Sequence, residues 1–128
     1  MFFRNTWPAF LWAVVILALT LSPAPAIPEV KWIYIPHADK IVHAVLFGVQ
    51  YILLMHGLVK QPVSAAHNKY VMWSIVIVIL FGAATEILQA ILPSGRDADV
   101  MDWLADCAGT LLAVIVFRFR WKMNKNSA

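Results

Sequence analysis

Residues 70–92 read YVMWSIVIVILFGAATEILQAIL, a run whose single acidic or basic side chain is Glu86. A bilayer core of about 30 Å is crossed by about 20 predominantly apolar residues in helical form, and charges are rare within such segments. The run therefore reads as a transmembrane helix, and Glu86 as a group that must turn away from lipid. Both inferences set the terms for the rest of the chain.

The composition agrees. Of 128 residues, 62% are hydrophobic and 13% charged, with a mean hydropathy of +0.75, whereas soluble domains are about 45–50% apolar and about 25% charged. Two further apolar runs, 41–59 and 100–117, predict spans, and a shorter one covers 8–22. The expected architecture is all-α: one membrane domain of four transmembrane helices over residues 1–128. The first run also resembles a secretory signal, with Arg4 ahead of it and Ala24-Pro25-Ala26 behind. Four prolines, Pro23, Pro25, Pro28 and Pro36, suit a stiff extended connector, so the first helix is expected to be retained.

Lysine and arginine set the orientation, because cytoplasmic loops carry their excess. Arg4, Lys60, Lys69, Arg118, Arg120, Lys122 and Lys125 fall on one side, and Lys31, Lys40 and Arg96 on the other. Both termini are expected in the cytoplasm. Trp7, Trp73 and Trp121 then stand near inner ends, and Trp32 and Trp103 near outer ends, as interfacial belts require.

Several chemistries are excluded or find poor material. Cys107 is the only cysteine, which rules out an intrachain disulfide and a cysteine zinc cage. The net charge of +3 is gathered in the tail RFRWKMNKNSA (118–128), which suits an anionic leaflet better than nucleic acid. No phosphate loop, hydrolase elbow or metalloprotease helix motif is present. His56 and His67 read as surface residues. Asp97, Asp99 and Asp102 lack the full calcium-loop pattern, and His37, Asp39 and His43 permit zinc without requiring it. No metal and no cofactor is assigned.

The polar residues form stripes. Side chains four apart share a helix face, which aligns Asp39, His43, Phe47 and Gln50 in the second span. Glu86 and Gln89 lie one turn apart in the third, and Asp99, Asp102 and Asp106 lead to Gly109 or Thr110 in the fourth. Each stripe enters from the outer side. At 1.5 Å per residue, Glu86 is about 9 Å below its helix end and Asp106 about 10 Å below Asp99, so the stripes can meet. Gly82, Ala83, Ala105, Ala108 and Gly109 allow close helix approach. Pro93-Ser94-Gly95 makes the hairpin that carries Arg96.

The order Asp39-Lys40-x-x-His43, Glu86-x-x-Gln89, Arg96, Asp102, Asp106, Gly109 resembles the VanZ-like family of small bacterial membrane proteins over residues 36–117. That family carries Asn or Asp at the position of Asp106, so the Asp here adds a charge. The resemblance implies a multi-helix envelope protein, and the family's namesake is associated with low-level resistance to the glycopeptide teicoplanin. It names no reaction.

Three functions compete. In the first, an outward cleft binds a lipid or a lipid-linked envelope precursor through Asp39, Lys40, His43, Glu86, Gln89, Arg96, Asp102 and Asp106. Lys40 and Arg96 would hold an anionic head and Glu86, Asp102 and Asp106 form an ionisable floor. In the second, an intramembrane enzyme uses Glu86 or His43 as general acid or base, with Asp102 orienting it or a metal. In the third, the polar groups only cap and join helices: Asp39 at a helix N-terminus, and Gln89 as an interhelical hydrogen bond.

Overall fold

The computed structural model describes residues 2–22, 37–60, 67–92 and 97–126. Four helices account for nearly all of them: α1 (Phe2–Leu21), α2 (Ala38–Val59), α3 (His67–Ile91) and α4 (Val100–Asn126). All four are long and apolar enough to cross a membrane, and among the described residues there is no strand. Each runs antiparallel to the next. The ends of α1 and α3 and the beginnings of α2 and α4 therefore gather at one end of the bundle, opposite the two termini.

Two helices run longer than their apolar stretches. Pro8 lies inside α1, which begins a turn and a half earlier at Phe2. Proline removes one intrahelical hydrogen bond and its ring crowds the carbonyl four residues back, here that of Arg4 near the start of the helix. The basic tail continues α4 as helix to Asn126, with Arg118, Arg120 and Lys122 exposed.

At α2 the first described residue, His37, takes the left-handed conformation (φ 60°, ψ 29°) and precedes the helix without a side-chain cap. Asp39 thus sits in the first turn rather than at the cap, where the helix dipole still favours its charge. Asp99 is the capping residue of α4. Its Oδ1 accepts the Met101 amide at 2.8 Å, and its carbonyl accepts the amides of Asp102 and Trp103, the arrangement that satisfies orphan amides of a first turn.

α2 is the hub, with its most extensive contact on α4 and the next on α1. Without a hydrophobic drive in lipid, helices associate through close packing and hydrogen bonds. Glycines set the approach. A Cβ added to Gly48 would stand 3.1 Å from the Gly109 carbonyl oxygen, and one on Gly109 would collide with the carbonyl of Ala44 and stand 2.6 Å from its Cα. At the opposite end, a Cβ on Gly57 would lie 2.6 Å from the Asn5 carbonyl oxygen of α1.

α1 is tied in by polar bonds as well. Trp12 Nε1 donates to the Leu46 carbonyl at 2.9 Å and Gln89 Nε2 to the Thr20 carbonyl at 2.8 Å. Trp103 Nε1 donates to the Ile79 carbonyl at 3.2 Å, joining α4 to α3. The outer surface is apolar, as at Leu80, Leu112 and Ile115, and faces lipid chains.

The interior between the helices holds Ile16, Phe47, Tyr51, Met55, Val78, Ala113 and Phe117. Tyr51 stands edge-on to Phe117, with ring centroids 6.4 Å apart, while its buried hydroxyl has no hydrogen-bond partner among the described residues. Tyr51→Phe removes an unsatisfied donor and keeps the ring. We expect it to leave stability unchanged or raise it by about 1 kcal/mol. Unfolding in detergent reads this, and a clear loss of stability would show that the hydroxyl has a partner.

Candidate functional site

Ionisable side chains from α2, α3 and the start of α4 meet at the end of the bundle away from the termini. Lys40 is the centre of the outer layer. Its Nζ donates to Asp39 Oδ2 at 3.1 Å, Asp99 Oδ2 at 3.0 Å and Asp102 Oδ1 at 2.9 Å. One ammonium has three donors, so these acids take the full set. Outside the span, the Lys40 ammonium and the Met101 amide hold the Asp99 carboxyl below the ordinary carboxylate range, which keeps the helix cap ionised.

The inner layer is buried. His43 Nδ1 and Asp106 Oδ1 are 3.0 Å apart, and His43 Nε2 is 3.9 Å from Asp102 Oδ2. The imidazole is thus flanked by two carboxylates of α4. It stacks parallel to Phe47, with centroids 6.5 Å apart, which fixes the plane of the ring. Asp106 follows Asp102 by one turn, so one face of α4 serves both layers.

Glu86 enters from α3. Its Oε2 accepts the Asp99 backbone amide at 2.9 Å, fastening the end of α3 to the start of α4. Oε1 is buried with no hydrogen-bond partner among the described residues, as is Asp106 Oδ2. Gly82, one turn before Glu86, makes room: an added Cβ there would stand 2.9 Å from Asp106 Oδ2.

Of the residues expected at a site, Asp39, Lys40, His43, Glu86, Asp102 and Asp106 converge, joined by Asp99. Gln89 does not. Its amide serves the α1 backbone at Thr20, the helix-joining role, because one turn along a helix also rotates the side chain around it. Lys40 is engaged by carboxylates rather than offered as an anion anchor. Arg96, with Pro93, Ser94 and Gly95, lies outside the described residues, as do Trp32 and the prolines of the connector. Gly48 and Gly82 were not distinguishable from other small residues by spacing, since only the neighbouring helix reveals which glycine is contacted.

A groove of about 500 Å³ opens at the other end of the bundle, between α2 and α4 beside His56, Phe117, Arg120 and Trp121. It is remote from the cluster and holds none of its acids. His56 is exposed there, edge-on to Phe117.

Within an apolar shell the cluster holds a histidine between carboxylates, with a glutamate oxygen that is buried and has no hydrogen-bond partner among the described residues. Fold and site together define a multi-pass helical membrane protein with a buried polar cluster. The chain belongs to the VanZ/LLP1 family, whose model matches residues 1–121. No curated protein and no solved structure matches it.

Proposed function

We propose that the protein receives the polar head of a membrane lipid, or of a lipid-linked envelope precursor, at the clustered end of α2, α3 and α4. One observation carries this reading. Lys40, His43, Glu86, Asp99, Asp102 and Asp106 come from different helices to a single place inside a shell that faces lipid. Intramembrane ionisable groups are costly and face a cavity or bundle interior when they serve a function. Helix joining alone is met more cheaply by Gln or Ser.

On this reading the protein lies in the bacterial plasma membrane with both termini in the cytoplasm, and the cluster opens outward. The excess of lysine and arginine near the termini and the α2–α3 loop supports that orientation. Altered response to teicoplanin, which the family likeness suggests, would follow from handling an envelope precursor at this site. A second reading, proton-transfer catalysis on such a head group, is favoured by the His43–Asp106 contact at 3.0 Å, with His43 as the group that moves a proton and Asp102 and Asp106 orienting it.

Native mass spectrometry of gently purified protein tests both. We expect a defined lipid or lipid-linked sugar on the parent, reduced at least about ten-fold in Glu86→Gln, a loss of about 1.4 kcal/mol, at equal membrane abundance. The same nonspecific lipids on both proteins would overturn the reading. Turnover of the bound lipid, lost in His43→Gln, would separate the enzyme from the binder.

A further inference from the structure

His43, Glu86 and Asp106 come from three different helices, and one ligand atom of each lies within 4.8 Å of the others. All three are more than nine-tenths buried: His43 and Glu86 are 7% exposed and Asp106 1%. The His43–Asp106 contact and the Asp99 amide on Glu86 Oε2 use only part of their capacity. Glu86 Oε1 and Asp106 Oδ2 have no hydrogen-bond partner among the described residues. Leaving two carboxylate oxygens bare and ionised inside a membrane bundle is strongly unfavourable, and a bound cation would relieve that cost.

The surroundings point the same way. Among the described residues, the carboxylates of Asp39, Glu86, Asp99, Asp102 and Asp106 meet one ammonium, and the hydrogen bonds of Lys40 go to the outer three, Asp39, Asp99 and Asp102. The inner pair is left without a lysine. Asp106 Oδ2 lies against Gly82, where an added Cβ would stand 2.9 Å away, so the glycine lets this carboxylate sit close against α3. His43 Nε2, 3.9 Å from Asp102 Oδ2, has the carboxylate neighbour that commonly orients a metal-bound imidazole.

We propose that His43, Glu86 and Asp106 bind one divalent transition-metal ion, with Asp102 behind His43 as its positioning residue. One imidazole with two carboxylates suits Zn²⁺ and its first-row neighbours, and three protein ligands leave a position open for a water or substrate oxygen. Two atoms bound to one ion at about 2.0–2.2 Å are at most about 4.4 Å apart, so the trio closes slightly when the ion enters. The proposal extends the head-group reading of the same cluster, yet the ion needs no lipid. Its assay on delipidated protein lets the two succeed or fail separately.

Tag-free protein in detergent, stripped with a chelator, is titrated with Zn²⁺ against a chromophoric competitor and with Co²⁺ as a visible-absorption probe. We expect one equivalent per chain and Co²⁺ bands of a low-symmetry site. His43→Ala, Glu86→Gln and Asp106→Ala should each weaken binding by more than about a hundred-fold, and Asp102→Asn by about ten-fold with the Co²⁺ bands kept. Asp97→Asn, on an exposed residue, should leave binding unchanged. Glu86→Gln keeps the shape of the side chain and its acceptor for the Asp99 amide, so it guards against a variant that fails to fold. Less than a tenth of an equivalent on the parent, or equal affinity in the parent and Glu86→Gln, would overturn the site.

Discussion

Gly109→Ala is expected to destabilise the bundle by about 3 kcal/mol or more, the upper end of what overpacking a close contact costs. The added methyl would collide with the Ala44 carbonyl and stand 2.6 Å from its Cα. These are backbone atoms of α2, which cannot rotate aside as a side-chain tip can. The two helices must part, and the separation propagates to the pair formed by His43 and Asp106, one position from Ala44 and three from Gly109. Gly48→Ala is the graded companion. Its Cβ would meet the Gly109 carbonyl oxygen at 3.1 Å, close enough to need a shift of a few tenths of an ångström, so its effect should be smaller. Denaturation in detergent micelles orders the three proteins. A Gly109→Ala protein as stable as the parent would mean that α2 and α4 do not approach this closely.

Removing one member of the His43–Asp106 pair should cost about 3 kcal/mol, and removing both should cost much less than twice that. The partners are 3.0 Å apart and buried, so Asp106→Leu leaves an unpaired imidazole and His43→Leu an unpaired carboxyl. The double variant fills the space with apolar groups that demand no partner. A cycle of the four proteins in chelated buffer should give a coupling of about 2 kcal/mol, whereas independent sites add within about 0.5 kcal/mol. Additivity would show that the pair is not formed. Lipid retention should be lost in all three variants even where the double variant regains stability, which separates the site's function from its contribution to the fold.

The helices were legible because the signal behind them is long and repetitive. Three apolar runs are near the length of a bilayer and the fourth is somewhat shorter, and lipid allows few other structures for such runs. Membership of the cluster was legible for Asp39, Lys40, His43, Glu86, Asp102 and Asp106 because an ionisable group in an apolar helix has few places to go. Their partners were not. Lys40 alone could as well have held an anion, and only the approach of Asp99 and Asp102 from α4 shows that its donors are used. Gln89 shares a helix with Glu86 but faces α1, a choice made by where α1 packs. Asp99 read as one acid among several, and its role as the cap of α4 depends on backbone geometry that no spacing encodes.

By itself the sequence determined the class of protein: membrane-spanning helices, four of them, with the acidic groups gathered toward one end. Hydropathy and charge decide these matters residue by residue, since each side chain's transfer between water and hydrocarbon is largely its own. Tertiary structure alone decided which carboxylate meets which cation, which glycines set the helix spacing, and which oxygens of Glu86 and Asp106 are left without a hydrogen bond among the described residues. Those outcomes depend on ångström-scale distances between residues as far apart in the chain as His43 and Asp106. Only the packing of whole helices sets such distances.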